Sequence, residues 1–202
     1  MNKESEKFIR GRRSVRKFRP DPVPEKTILE LIELASWAPS AGNRQDWFFS
    51  IVRSPELIME MADTVKKKWQ RIISENSSSG IIGDIADYAE NFSRFSDAPA
   101  IIAVSAAAPA SFEKQMLGDS AGAVFGSCAS AVMAAQNLMI AAELYGLGTC
   151  CMTGALAAES ELKELLELKK RREIVCLIAL GYPDEDPKAP LRKNIESITR
   201  FL

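Results

Sequence analysis

Ser120-Ala-Gly-Ala-Val-Phe-Gly-Ser-Cys-Ala-Ser-Ala-Val-Met-Ala-Ala-Gln-Asn-Leu-Met-Ile-Ala-Ala142 carries no charge over a length that could cross a bilayer. How this run is read decides the fold. Its content is mostly Ala, Gly and Ser, Gln136 and Asn137 stand near one end, and neither a second span nor a polybasic flank accompanies it. The expected form is therefore a buried helix of a globular domain. In a helix over residues 118–145, Gly118, Gly122, Gly126, Ser130 and Ala134 recur four apart and line one face. Another backbone can approach there closely, either inside the core or across a two-fold axis between identical chains. Gly146 and Gly148 end the helix.

Working outward, apolar and β-branched runs alternate with helical patterns. Residues 99–105 (PAIIAVS) and 173–180 (EIVCLIAL) read as buried strands, 47–52 as a third buried strand, and 149–152 as a short fourth. Leu57, Ile58, Met61, Val65, Trp69 and Ile72 mark one face of a long amphipathic helix, broken by Asn76 to Gly80. Residues 159–168 form another helix. Ile28, Leu31, Ile32 and Ala35 share a helical face that must end by Ala38, because Pro39 follows. Residues 4–10 form a short helix stopped by Gly11, and 12–18 are extended. Residues 81–95 are helical but poorly patterned, a candidate cover over a pocket, with Phe92 and Phe95 as its aromatic residues.

With 202 residues, no internal repeat and no linker, the chain is expected to be one domain over 1–202. Its charged tail, 184–202, should dock through Ile195, Ile198 and Phe201. Twenty-six basic against 27 acidic residues give a net charge of −1, so nothing draws the whole protein to nucleic acid or membrane, and neither partner is expected. The chain contains no histidine, which excludes Ser-His-Asp and Cys-His nucleophilic sites, HExxH zinc and every imidazole acid or base; no metal site is expected. Four cysteines (Cys128, Cys150, Cys151, Cys176) without a CxxC pair, behind a charged segment lacking an apolar leader core, point to reduced thiols in a cytoplasm.

Three segments could carry chemistry. Arg10, Arg12, Arg13, Arg16, Lys17 and Arg19 crowd ten positions, and in an extended strand Arg12, Ser14 and Arg16 share one side, a match to phosphate oxygens or simply a solvated basic arm. The loop 38–47 offers small residues and the amides of Asn43 and Gln45, suited to the edge of a heterocycle and equally to a turn. Residues 146–154 are no dinucleotide fingerprint, because Cys151 stands where a third glycine would be needed, and the vicinal cysteines read as packing.

Taken in order, Arg12-Arg-Ser-Val-Arg16, Pro39-Ser-Ala-Gly-Asn-Arg-Gln45 with Trp47, Ala135-Gln-Asn-Leu138 leading to Gly146-Leu-Gly148, Thr153-Gly154, Gly181-Tyr-Pro183 and Arg192 resemble the nitroreductase family. That resemblance implies an α+β fold of three layers, α-β-α, with a central, mostly antiparallel sheet and a long central helix at a dimer interface. It implies a flavin mononucleotide (FMN) cofactor, which carries the hydride chemistry and leaves no catalytic side chain to find. Arg12, Arg13, Ser14 and Arg16 would contact the phosphate and the polar flavin edge, and Arg192 would return to the phosphate. Pro39, Ser40, Ala41, Asn43 and Gln45 would come from the other chain of a homodimer. Cys151, Met152, Thr153 and Gly154 would lie along the isoalloxazine, with backbone N–H near Thr153 or Gly154 facing N5. NADH or NADPH would reduce FMN, and a nitroaromatic or quinone would take the electrons by a ping-pong mechanism; flavin-cleaving and dehalogenating relatives, and a non-catalytic flavin carrier, are the alternatives. Three positions depart from the family pattern: Asp46 for a common Pro, Thr153 for an occasional Glu, and Pro190 for a frequent Lys.

Overall fold

Four segments of β-branched residues and alanine pair into one sheet in the computed structural model, which describes residues 3–76, 89–109, 115 and 126–202. β1 (Phe48–Val52), β2 (Ala100–Ala107), β3 (Gly148–Met152) and β4 (Arg172–Gly181) lie in the order β1-β2-β4-β3, and each neighbouring pair is antiparallel. The two inner strands hold the unbroken apolar runs, as strands covered on both faces must. Between Val104 and Ser105 the register slips past Val175 on β4, a bulge that kinks the strand locally.

Alternation along the inner strands sorts the core into two halves. Ile101 and Ala103 of β2, with Leu177 and Ala179 of β4, face α3 (Pro55–Glu75) and α5 (Glu159–Leu165) through Ile58, Met61, Val65 and Leu162. Ile102 and Val104, with Ile178 and Leu180, face α2 (Glu25–Ala35) and α4 (Ser127–Leu144) through Ile28, Leu31, Ala131, Ala135 and Leu138. The result is the three-layer α-β-α sandwich, of α+β class, that the sequence led us to expect. α1 (Lys3–Gly11) packs beside α4. α3 opens with Ser54, whose hydroxyl accepts from the Leu57 N–H, and with Pro55 in the first turn.

The structure corrects or refines the sequence reading at four places. The strand at Trp47 is not buried: β1 is an edge strand, with Phe48 47% and Ile51 38% exposed, because helices cover the middle of the sheet and not its rim. Of the two readings of the small residues of α4, packing inside the core is the one the described positions show. Ser130 and Ala134 are buried within this chain, whereas Val132, Met133 and Leu144 are exposed; Gly118 and Gly122 lie outside the described residues. Of the candidate cover, residues 81–88 are likewise outside them, and Phe95 is a core residue, 1% exposed. In the tail, Ile195, Ile198 and Phe201 are all exposed on this chain; only its base is tied down, by the Asp184 N–H to the Lys17 carbonyl at 2.9 Å and by Glu185. Among the described residues no helix is long and apolar enough to cross a membrane.

Candidate functional site

The basic segment runs beside the edge strand β3. The Val15 N–H donates to the Thr149 carbonyl at 2.9 Å, Ser14 pairs in parallel with Thr149, and the Arg19 N–H reaches the Tyr182 carbonyl at 2.9 Å. Gly148 permits this contact, since a Cβ there would stand 2.8 Å from the Val15 side chain. Val15 and Phe18 turn into the core, so the polar residues between them remain at the surface.

The arginines divide in their roles. Arg12 and Arg16 flank Ser14, the residue that pairs with Thr149, so their backbone follows the β3 edge, and the positive charge of both helps hold the Cys150 thiol down against its burial. Arg16 Nη1 also donates to the Ser14 carbonyl at 3.1 Å. Arg13 instead turns back on the end of α1, where its Nη1 donates to the carbonyls of Arg10 (2.7 Å) and Arg12 (2.9 Å). It closes the end of that helix. The adjacent N–H groups of Arg16 and Lys17 both donate to the Glu185 carboxylate, so this turn of backbone already holds an anion. Sequence reading missed Glu185 because its partners lie more than 160 positions away.

The loop 39–45 belongs to the other side of the sheet. Gly42 (φ 59°), Asn43 (φ 52°) and Gln45 (φ 51°) all take left-handed backbone, which Asn tolerates and Gln rarely adopts. Ser40 Oγ accepts the Gln45 N–H at 2.8 Å, and Gln45 Nε2 donates to Asn43 Oδ1 at 3.2 Å. The Ala41 N–H donates to Ser130 Oγ of α4 at 3.2 Å. Asp46 roots the loop: its carboxylate meets Arg44 Nε at 3.0 Å and the Ser127 hydroxyl at 2.8 Å, and its carbonyl accepts from Arg172 Nη1 at 3.0 Å. The charge that replaces the family's proline is thus held internally. Ala41, Asn43 and Gln45 stay exposed.

Loop and basic segment are rooted on opposite edges, the loop leading into β1 and the arginines lying along β3. Three strand spacings, about 14 Å, separate these edges. The chain brings Arg12, Ser14, Arg16 and Cys151 to one edge and does not bring Pro39, Ser40, Ala41, Asn43 or Gln45 to them. Arg192 lies in the exposed tail, with no ion pair among the described residues.

The turn after β3 is clamped from the α3 side. The Gly154 carbonyl accepts from Trp69 Nε1 at 2.9 Å, and a Cβ at Gly154 would collide with the Phe92 ring, which packs 4.8 Å from that of Trp69. Thr153 and Gly154 therefore follow Cys151 and Met152 in a fixed path. A cleft of about 620 Å³ opens nearby between α3 and residues 89–97, lined by Met59, Lys66, Trp69, Ile73, Glu90 and Arg94 among others; none of the expected cofactor contacts lines it.

The vicinal cysteines point to opposite faces. Cys150 is buried, and burial pushes its thiol up. Cys151 is exposed, and a hydrogen bond from Cys176, with help from the Arg12 charge and against some burial, holds it down at about 7. Cys176 is raised by that same bond and by burial. All four cysteines are free thiols.

The model of the nitroreductase family matches residues 9–182. A 4-nitrobenzoate reductase of Nocardioides sp. (strain LMS-CY) is 27% identical over 93% of this chain and 83% of its own. The iodotyrosine deiodinase of Nematostella vectensis is 26% identical over 98% of this chain and 76% of its own. Among solved structures, a BluB-like flavoprotein from Clostridium difficile 630 superposes with a TM-score of 0.84, at 26% identity and 98% coverage of both chains.

Proposed function

This chain belongs to the nitroreductase family, and on that premise we propose that it is an FMN-dependent oxidoreductase, working as a homodimer in the cytoplasm, that passes electrons from NADH or NADPH to a nitroaromatic, quinone or similar small acceptor. What supports the reading is the placing of the arginine segment and the amide loop on opposite sheet edges, which fits a cofactor site made of the arginine edge of one copy and the amide loop of a second. The exposed Val132, Met133 and Leu144 of α4 and the apolar tail residues support such a pairing, because isolated chains seldom leave that much apolar surface uncovered.

The residues present fit an FMN phosphate. Arg12 and Arg16 offer guanidinium forks from the segment that runs along β3, and Ser14 adds a hydroxyl between them. At an effective dielectric near 20, a unit charge pair ~4 Å apart gains about 4 kcal/mol before desolvation is subtracted. When bound, FMN supplies the hydride chemistry; the chain's own residues bind it, orient it and leave one face open for donor and acceptor in turn, a ping-pong order. The fixed path of Thr153 and Gly154 suits the orienting role, and free thiols suit a reducing cytoplasm.

Light scattering and absorption on the purified chain test this together. A yellow dimer releasing one FMN per chain, and oxidising NADH or NADPH only when a nitroaromatic or quinone is added, is expected. A yellow monomer, or a dimer that stays colourless in excess FMN, overturns it. Similarity to a deiodinase over nearly the whole chain favours one second reading, reductive dehalogenation of a halophenol. Halide release from an iodophenol under reducing conditions separates the two acceptors.

A further inference from the structure

Residues 14–19 are held between two other pieces of the chain. On one side Ser14 pairs with Thr149, and the Val15 N–H reaches the Thr149 carbonyl. On the other, the stretch that follows β4 runs antiparallel to them: Phe18 pairs with Pro183, while the Arg19 N–H donates to the Tyr182 carbonyl and the Asp184 N–H to the Lys17 carbonyl, both at 2.9 Å. Val15 and Phe18 are buried in the core, and the Arg19 guanidinium lies 5.0 Å from the centre of the Tyr182 ring.

Between these two anchorages the backbone kinks. Along an extended strand successive N–H groups point to opposite edges, yet those of Arg16 and Lys17 converge on one oxygen, Glu185 Oε1. Such a concave turn gathers positive backbone dipoles, which an anion stabilises, and the partly buried Glu185 carboxylate supplies that anion from within the chain. The kink falls at Arg16 itself. From it the Arg16 side chain folds back along the segment, its Nη1 donating to the Ser14 carbonyl at 3.1 Å, which brings the guanidinium beside Ser14.

Resting on the FMN reading above, we infer that Glu185 is a positioning residue for the cofactor phosphate: it holds the kink at residues 16 and 17 that aims Arg16 and Ser14 at one anion. It acts through the backbone and not by contact, because a carboxylate and a phosphate repel each other. That repulsion separates the two effects of the residue by sign. If its charge were all that mattered, removing Glu185 would tighten FMN binding; as the holder of the kink, its loss loosens binding.

The test titrates the full chain, freed of bound flavin, with FMN and with riboflavin, which lacks only the phosphate. Glu185→Ala is expected to weaken FMN binding on the order of tenfold, the worth of one misdirected charge-assisted hydrogen bond, and to leave riboflavin binding within about twofold of wild type. Glu185→Gln keeps an acceptor oxygen for the two N–H groups and drops the charge, so it should bind FMN at least as tightly as wild type. Equal losses of FMN and riboflavin in Glu185→Ala mark a general defect of the fold and overturn the inference, as does FMN binding that is unchanged or tighter in that variant. Amide hydrogen exchange on wild type decides even where a variant does not fold: the Arg16 and Lys17 N–H groups should exchange slowly, and exchange at the rate of free backbone overturns the inference. A wild-type chain that binds no FMN overturns the proposed function and this inference with it, whereas tight wild-type binding with the wrong response in Glu185→Ala overturns this inference alone.

Discussion

Trp69 Nε1 donates to the Gly154 carbonyl at 2.9 Å, joining the middle of α3 to the turn that follows β3. The Phe92 ring lies on the same turn and fills the space a side chain at 154 would need. A helix of one face of the sheet thereby sets the path of the segment proposed to run along the flavin.

Gly154→Ala should displace the Phe92 ring and lower stability by about 1–3 kcal/mol, the range for overpacking a filled site. Pairing it with Phe92→Ala should recover part of the loss. Urea denaturation of the two single variants and the double variant measures the coupling; strictly additive losses would contradict the contact.

Arg12 and Arg16 should matter to FMN far more than Arg13 does. Each charge-assisted hydrogen bond to phosphate contributes about 1.5–3 kcal/mol, so Arg12→Ala and Arg16→Ala should weaken FMN binding roughly ten- to 150-fold. Arg13→Ala should instead cost mainly helix stability, since its guanidinium is engaged with the carbonyls of Arg10 and Arg12. Quenching of FMN fluorescence on titration gives the three constants, and equal losses for Arg13 and Arg12 would reverse this division.

Asp46→Ala should loosen the root of the amide loop. Its ion pair with Arg44 is partly exposed, so the stability change should stay below about 1 kcal/mol. FMN affinity should nevertheless fall, because Asn43 and Gln45 would no longer be held in left-handed backbone. Thermal melts alongside FMN titration separate the effects; an unchanged FMN constant counts against the loop's part in the site.

Alkylation of Cys151 should follow its thiolate, rising with pH through a midpoint of about 7. Removing the S–H donor by Cys176→Ala takes away the largest cause of the lowering, so the midpoint should move up, toward the ordinary 9.0. Cys150, which burial pushes up, should remain unmodified over the same range. Iodoacetamide rates mapped by peptide mass provide the check, and a midpoint that stays in place in Cys176→Ala removes the hydrogen bond as its cause.

Replacing Ile195, Ile198 and Phe201 together with serine should leave the fold of one chain nearly untouched, within about 0.5 kcal/mol, because all three are exposed on it. The dimer should weaken. Dilution followed by light scattering distinguishes the two, and an unaltered dimer would confine the pairing to α4.

Much of the layer plan was legible locally. Runs such as Ile101 to Val104 and Ile174 to Leu180 must be covered on both sides, and Ile58, Met61 and Val65 recur on one helical face, so strands and helices declared themselves through periodicity. The Arg12 to Arg16 cluster, the Ser40 to Gln45 loop and the family resemblance likewise needed only short spacings. Strand order is different: β1 reads as apolar as β2, and only its place at the rim leaves Phe48 and Ile51 exposed.

By itself, then, the chain's composition determined the chemistry available, above all by containing no histidine, and its periodicity determined which segments are strands and which are helices. Tertiary structure alone decided that Glu185 returns to residues 16 and 17, that Cys176 lies on the same face of the sheet as Cys151, and that the arginines and the amide loop occupy opposite edges. Periodicity is a property of neighbours along the backbone, whereas these pairings join residues tens of positions apart whose meeting depends on register and strand order.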